Sequence, residues 1–123
     1  MQYIATPSAP AAIGPDSQAI LCGNTLYASG QIPINPASGQ IEARDIAGQT
    51  EQACKNVGEV LKAAGMGFEN VVKTTCFLSD IANFAAFNEV YAKYFVSKPA
   101  RSCVAVKDIP KGALCEIEIV AVR

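Results

Sequence analysis

The spacing of apolar positions along the chain predicts two helices. Behind Asp45, a residue type suited to a helix N-cap, apolar residues recur three, four and seven positions apart, and Gly65 is placed to end the helix. A second stripe follows Ser79 or Asp80 and stops before Pro99, which blocks helical continuation. The two stripes consist of Ile46, Ala53, Val57, Val60, Leu61 and Ala64, and of Phe84, Phe87, Val90, Tyr91, Tyr94 and Phe95.

Shorter apolar runs predict five strands. Two runs, residues 18–22 and 26–29, flank Gly23-Asn24 and indicate a tight hairpin. Three more strands are predicted in the second half of the chain, where β-branched and aromatic residues are frequent or alternate with polar ones. They cover residues 71–78, 102–106 and 114–122. The Pro-rich segment before residue 16 is expected to be an extended arm.

The resulting order, β-β-α-β-α-β-β, predicts an α+β fold in a single domain, residues 1–123, with a mixed sheet and both helices on one face. By strand parity we expect the other face to carry Cys103, Ala105, Glu116 and Glu118. The chain has no third helix to cover that half-apolar face. The sequence therefore predicts a homo-oligomer whose subunits pack through their sheets.

Composition narrows the chemistry. The 123 residues include no histidine, which excludes Ser-His-Asp and Cys-His catalysis and His-ligated zinc. A formal net charge of −1 disfavours a nucleic-acid partner. The five cysteines are odd in number and widely spaced, as expected in a reducing compartment. With no signal-like or membrane-spanning segment evident, the expected location is the cytoplasm.

Two residues are candidates for catalysis. Arg101 lies where a Pro-initiated turn enters a strand, and its guanidinium offers a rigid fork for a small carboxylate. The alternative is a structural arginine paired with an acid across a subunit contact. Glu116 lies centrally in an apolar strand, where an unpaired carboxylate is costly, and could act as an acid or base on water or a substrate nitrogen. The alternative is a solvated glutamate on the wet side of the sheet.

Other candidates carry weaker signals. Cys103 shares the strand parity of Arg101, yet without a histidine partner its thiol is better explained as a buried hydrophobe, and backbone N–H groups nearby are better oxygen donors. Ser29, Gly30, Gln31 and Asn88 are small or polar residues at element ends. Taken singly, such residues are usually turn or surface positions.

Together these motifs resemble the RidA/YjgF family of reactive-imine deaminases, and the resemblance runs along nearly the whole chain. Each block alone is weak evidence for the family, but all of them in this order are specific to it. The blocks are residues 9–15 (APAAIGP), 29–33 (SGQIP), Gln49-Thr50, Asn56, 72–75 (VKTT), Phe84, 88–91 (NEVY), 99–102 (PARS), Leu114 and 116–118 (EIE).

The resemblance implies a chorismate-mutase-like fold and a homotrimer in which three sheets form an inner barrel, with clefts between subunits. It implies cofactor-free hydrolysis of enamine or imine intermediates, such as 2-aminoacrylate, to 2-keto acids and ammonia. These intermediates would come from pyridoxal-phosphate enzymes that dehydrate serine or threonine. Neither a membrane nor a nucleic acid is expected as a partner.

The resemblance also implies roles for particular residues. Arg101 would bind the substrate carboxylate, and Glu116 would orient water or relay a proton. The backbone around Gly30 and Cys103 would line the cleft, and Asn88 would be supplied by the neighbouring subunit.

Two departures from the family pattern bear on activity. Asp16 stands where the family usually has a tyrosine after Gly-Pro. Near Arg101, an ionised Asp16 would compete with an anionic substrate or favour a polar or cationic one; alternatively, it turns outward as a turn residue. The link between Phe95 and Pro99 is also shorter than is common in the family, which could widen the cleft.

Two other functions stay open at this stage. In the first, the protein binds 2-keto acids through Arg101 but does not catalyse a reaction, because Asp16 has replaced the usual tyrosine. Some family members are described as endoribonucleases or translation inhibitors, but the lysines here are scattered and form no basic stripe. They are Lys55, Lys62, Lys73, Lys107 and Lys111.

Overall fold

A computed structural model describes residues 1–123 as a six-stranded sheet, a small two-stranded ribbon and two helices. The helices are α1 (Ile46–Ala63) and α2 (Phe84–Tyr94). The strands in chain order are β1 (Gln2–Ile4), β2 (Ala19–Cys22), β3 (Thr25–Ala28), β4 (Ile34–Asn35), β5 (Gln40–Ile41), β6 (Val71–Leu78), β7 (Ala100–Ala105) and β8 (Cys115–Val122). Neither helix combines the length and the hydropathy that crossing a bilayer requires.

The large sheet runs in the order β1-β2-β3-β8-β6-β7 and is mixed, because β6 and β7 are parallel while every other pair is antiparallel. The predicted hairpin is confirmed: β2 pairs with β3, and Gly23 supplies the positive φ of the turn. Both helices pack on one face of the sheet over the main core, so the predicted α+β class is confirmed. The fully buried members of that core include Leu26, Val57, Leu61, Cys76, Phe87 and Ile117. A second, smaller cluster consists of Ile32, Ile34, Ile109 and Ala113.

The first helix begins and ends where its sequence indicates. Asp45 caps α1, since its Oδ1 accepts a hydrogen bond of 2.9 Å from Gly48 N. Gly65 takes a φ of +72° directly after the helix. The start of α2 differs by one turn: Asp80 caps a short 3₁₀ helix, Ile81–Asn83, and α2 follows at Phe84.

The N-terminal arm is more ordered than expected. Its first residues form β1 on β2, and the next ones are fixed by the buried side chain of Gln18. Gln18 Oε1 accepts from Thr6 N at 2.6 Å. Its Nε2 donates to the carbonyl oxygens of Thr6, Ala9 and Pro10 at 3.0, 3.3 and 2.7 Å. One amide therefore holds the arm against the sheet.

Replacing Gln18 by alanine is expected to loosen the arm and to lower the free energy of unfolding by about 2–4 kcal/mol, because several buried backbone groups lose their partner. Urea denaturation measures the loss, and limited proteolysis locates it before residue 16. Gln40, an exposed glutamine of β5, provides the matched control Gln40→Ala. Equal stability of the two variants would contradict the role assigned to Gln18.

The face opposite the helices differs from the one expected. Glu116 pairs with Phe77, and Glu118 with Thr75, on this open face. Cys103 pairs with Cys76 and packs against the core under the helices, and Ala105 pairs with Leu78 on the same side. The expectation that Cys103 and Ala105 share a face with Glu116 is therefore wrong. Strand parity groups residues within one strand, but only the register between strands assigns the group to a face.

The open face carries an apolar row that crosses four strands. Its members occupy paired positions of β1, β2, β3 and β8. Tyr3 and Tyr27 are exposed by 66% and 56%. The row consists of Tyr3, Ile20, Tyr27 and Val120.

Candidate functional site

The sequence-predicted site residues form two groups on different sides of the sheet. Arg101, Cys103 and Asn88 lie at the free edge formed by β7 and on α2, on the helix side. Glu116 lies on the open face beside Gly30. Ser29, which follows β3, and Asp16, at the end of the N-terminal arm, lie next to each other on from Gly30. Within one chain, Arg101 and Glu116 are not brought together.

Arg101 is held by an amide and by aromatic rings. Its Nη1 donates to Asn88 Oδ1 at 2.8 Å. The guanidinium carbon lies 4.8 Å from the ring centroid of Tyr91 and 5.5 Å from that of Phe84. The Tyr91 hydroxyl is in turn 2.8 Å from Thr74 Oγ1, and Thr74 is the β6 partner of Arg101. These contacts fix the guanidinium through cation–π interactions without using a carboxylate.

Most of the Arg101 fork is therefore free for an anion. A guanidinium has five N–H donors, and the bond to Asn88 uses one of them. The side chain is half-buried, which reduces screening by solvent. It opens into a cleft, here called the arginine cleft, lined by Asn88, Tyr91, Phe95, Val96, Lys98 and Arg101. A planar carboxylate matches this arrangement of donors.

Asn88 and Lys98 both line the arginine cleft. Asn88 lies beside Arg101 of its own chain, so both would enter an assembled site from the same subunit. Lys98 was not a site candidate, yet it lines the arginine cleft and adopts a φ of +52°. Its position at the end of the short link before Pro99 is the one feature of the sequence that could have indicated it.

Cys103 turns its thiol toward the core and its backbone toward the free edge of β7. The thiol packs against the core, and burial raises its pKa. Val106 N donates to Leu78 O across the pair formed by β6 and β7. Because alternate residues direct their backbone groups to the same side, the N–H of Cys103 points away from β6, at the free edge near Arg101. The N–H of Cys103 is therefore available to an oxygen acceptor, and its role as a donor to substrate stays a prediction.

The thiols are expected to differ strongly in reactivity. Burial raises the pKa values of Cys76 and Cys115 to about 12 and raises those of Cys54 and Cys103 as well, whereas Cys22 is exposed. A higher thiol pKa leaves less thiolate at a given pH, so these four groups react slowly. Near pH 8, a chromogenic disulfide reagent should react rapidly with one thiol per chain of the folded wild type. It should react rapidly with none in Cys22→Ser. Several rapidly reacting thiols in the folded protein would contradict this ranking.

Glu116 lies in a niche made by Gly30. A Cβ atom at Gly30 would be 2.8 Å from Glu116 Cδ, so a larger residue there would displace the carboxyl group. Three residues separate Tyr27 from Gln31, while two separate their partners Val120 and Ile117, so an extra residue bulges at this point. The bulge brings the Gly30 backbone against the glutamate.

The Glu116 carboxyl group holds its proton more tightly than an ordinary glutamate. Its pKa is raised, chiefly because burial disfavours the charged form and secondarily because Glu118 adds negative charge nearby. A carboxylate with a raised pKa is a better proton acceptor. Glu116 can therefore take a proton from water and return it.

Ser29 and Asp16 extend this side of the site. Ser29 Oγ donates to Ser17 O at 2.6 Å and lies 3.5 Å from Asp16 Oδ2. Asp16 Oδ1 accepts from Gly14 N at 3.2 Å. The exposed Asp16 carboxylate thus serves a local turn and still borders the cleft that contains Ser29 and Gly30.

Sequence reasoning did not anticipate two supports of this region. Asn56, fully buried in α1, donates to Ile32 O and Ile34 O at 3.0 and 2.9 Å and so fixes the segment after Gly30. Gln31 is buried and forms a two-bond bridge to Ile117. Both residues occur in the blocks that carry the family resemblance, but neither block indicates what its side chain contacts.

Comparison with known proteins agrees with the fold. Residues 6–123 match the family described as endoribonuclease L-PSP. A human protein named 2-iminobutanoate/2-iminopropanoate deaminase is 52% identical over 123 residues, which cover 99% of this chain and 90% of the human protein. The crystal structure of E. coli TdcF with bound serine matches with a TM-score of 0.95 and 40% identity, covering 100% of this chain and 99% of that one.

A second solved structure, that of the YjgF gene product of E. coli, matches with a TM-score of 0.95 and 44% identity over 100% of this chain and 99% of that one. Fold and full-length match define the chain as an α+β domain of the endoribonuclease L-PSP type. It belongs to the RidA/YjgF family, and the resemblance carried by its motifs is confirmed.

Proposed function

We propose that this protein is a hydrolytic deaminase of reactive enamine and imine intermediates, such as 2-aminoacrylate, 2-iminopropanoate and 2-iminobutanoate. The net reaction converts R–C(=NH)–COO⁻ and water to R–C(=O)–COO⁻ and ammonia. The observation that carries the proposal is Arg101, a half-buried arginine whose hydrogen bond within the chain goes to an amide rather than to an acid. Two relatives that are 52% and 51% identical to this chain are named 2-iminobutanoate/2-iminopropanoate deaminase, which supports the same reaction.

The active site is proposed to form between two copies of the chain. Arg101 and Glu116 lie on different sides of one sheet, so a site that uses both requires the β7 edge of one subunit to meet the Glu116 face of another. The apolar row on the open face supplies surface for such packing. A homotrimer whose three sheets form an inner barrel, as the family resemblance implies, meets both requirements.

In the proposed mechanism, Arg101 binds the substrate carboxylate and the N–H of Cys103 adds a further donor. Glu116 of the adjoining subunit takes a proton from water as the water oxygen bonds to the imine carbon. The C=N electron pair moves to nitrogen, which takes the proton from Glu116, and a carbinolamine results. Glu116 then transfers the hydroxyl proton to the amine nitrogen. The C–N bond breaks with its electron pair on nitrogen, the C=O bond forms and ammonia leaves. An imine is already electrophilic, so positioning and charge stabilisation suffice without a cofactor.

A coupled assay tests this function. A pyridoxal-phosphate threonine dehydratase generates 2-iminobutanoate in the cuvette, semicarbazide traps what remains unhydrolysed, and 2-ketobutanoate is measured with and without the protein. The wild type is expected to accelerate keto-acid formation and to reduce the trapped fraction. Rates equal to those with the dehydratase alone would contradict the proposal. Because such imines are short-lived, the protein would act where the dehydratase acts, which we propose is the cytoplasm.

RNA cleavage, which the family description suggests, is less well supported. The net charge is −1, and the lysines are dispersed. Asp16, Glu116 and Glu118 add negative charge on and beside the open face, which repels phosphates.

A further inference from the structure

The cleft between the N-terminal arm and the segment after β3, here called the arm cleft, has apolar walls and a polar end. The walls are formed by Ala11, Ala12, Ile13, Ile32, Ile34 and Pro110. The polar side chains of Asp16, Ser29 and Gln31 also line the cleft. Gly30 belongs to both the arm cleft and the niche of Glu116, so the cleft adjoins the proposed reaction centre.

Asp16 brings an uncompensated charge to the arm cleft. Its Oδ1 accepts a hydrogen bond from Gly14 N at 3.2 Å. Ser29 Oγ lies 3.5 Å from Oδ2 but gives its one proton to Ser17 O at 2.6 Å, so Oδ2 has no committed donor from the chain. A carboxylate has about four acceptor sites, so Asp16 retains capacity for a further donor.

Gln31 is a second, independent indication of a polar ligand. The side chain is only 5% exposed, yet its amide makes a single hydrogen bond, a long one of 3.4 Å to Ser29 O. The amides of the other buried glutamines, Gln18 and Gln49, are bonded at both the oxygen and the nitrogen. The Gln31 carbonyl oxygen therefore accepts no hydrogen bond from the chain, remains accessible rather than sealed in the core, and belongs to a residue that lines the same cleft as Asp16.

We propose that the arm cleft is the subsite for the substrate side chain and that it selects 2-imino acids whose side chain ends in a cationic hydrogen-bond donor, such as a guanidinium group. The apolar walls accommodate the methylene groups, and Asp16 together with the Gln31 carbonyl accepts the terminal N–H groups. Arg101 binds the substrate carboxylate, as in the proposed mechanism. This inference rests on the proposed deaminase function, because it deepens the same site.

The test compares two isosteric side chains that differ in charge. An amino-acid oxidase converts arginine and citrulline, with O₂ reduced to H₂O₂, to their 2-imino acids, and the acceleration of hydrolysis is measured for each. In parallel, calorimetry measures binding of the corresponding 2-keto acids, which end in guanidino and ureido groups. The proteins are the wild type, Asp16→Asn, Gln31→Met and the charge control Glu69→Gln, which alters an exposed glutamate outside the clefts.

We expect the wild type to favour the guanidino ligand about tenfold in both measurements, as one charge-assisted hydrogen bond provides. Asp16→Asn should reduce that ratio to about one, because it removes charge from an exposed side chain without altering its shape. Gln31→Met should weaken both ligands and keep the ratio, since the amide serves either side chain. Glu69→Gln should behave as the wild type.

The outcomes separate the two proposals. Equal affinity of the wild type for both keto acids would contradict the proposed subsite. So would a preference for the guanidino ligand that persists in Asp16→Asn. A wild type that accelerates hydrolysis of neither imine but keeps the Asp16-dependent binding ratio contradicts the deaminase function and leaves the subsite standing.

Discussion

Replacing Arg101 by alanine is expected to lower kcat/KM for 2-iminobutanoate by about a hundredfold to a thousandfold. Removing one partner of a partly buried charge pair that is hydrogen-bonded costs about 2–5 kcal/mol, and each 1.4 kcal/mol is tenfold. Arg101 is the one cation positioned by both an amide and two aromatic rings. No neighbouring group offers the same planar set of donors, because Lys98 in the arginine cleft is a flexible point charge.

Two further variants distinguish binding of the carboxylate from a structural role. Arg101→Lys keeps the charge but loses the fork, and it should retain more activity than alanine while remaining about tenfold or more below the wild type. Arg44→Ala removes an exposed arginine just before α1 and should leave kcat/KM unchanged. Circular dichroism melts show whether each variant folds. A folded Arg101→Ala protein with full turnover would contradict the assigned role.

Local patterns in the sequence were sufficient to predict most of the elements. Asp45 and Gly65 bound α1 because an N-cap acceptor and a residue tolerant of positive φ act through contacts a few residues away. The start of α2 was displaced by one turn, since Asp80 can cap either a 3₁₀ turn or an α-helix with the same hydrogen bond. Short pairings such as β1 on β2 depend on distant residues and left no local signal.

The candidate site shows where such patterns stop being informative. The residue types of Arg101 and Glu116 marked both as chemically unusual positions, and both lie beside clefts or niches in the structure. Their placement on different sides of the sheet follows from the pairing of Thr74 with Arg101 and of Phe77 with Glu116. That register joins segments about 25 to 40 residues apart, so no periodicity within one strand can reveal it.

Polar side chains that bond backbone atoms were equally hard to foresee. Gln18 and Asn56 hold distant segments through carbonyl oxygens, which every residue type carries. A buried amide in the sequence indicates that partners must exist, but the partners are identified only after the chain has folded. The unused acceptor of Gln31 became apparent by comparison with these satisfied amides.

Mixing two inactive variants is expected to restore activity if the site is shared between subunits. Arg101→Ala and Glu116→Gln should each be nearly inactive alone. When the two chains are co-expressed in equal amounts, a site is complete when its arginine comes from a Glu116→Gln chain and its glutamate from an Arg101→Ala chain. Random assembly in a closed symmetric oligomer makes about a quarter of the sites complete. The mixture should therefore show about a quarter of the wild-type kcat per site.

Differently tagged chains allow the mixed oligomers to be purified through both tags. In a trimer each mixed oligomer has one complete site in three, so the purified fraction should show about a third of the wild-type kcat per site, against about a quarter before purification. A mixture of Arg101→Ala with Arg101→Gln provides the control, because both chains lack the same half of the site and no pairing repairs it. Asn88 lies with Arg101, so Asn88→Ala should likewise be complemented by Glu116→Gln and not by Arg101→Ala. Purified mixed oligomers no more active than their parents would mean that Arg101 and Glu116 do not meet across subunits. The two-sided arrangement in one chain would then require a mechanism in which only one of them touches the substrate.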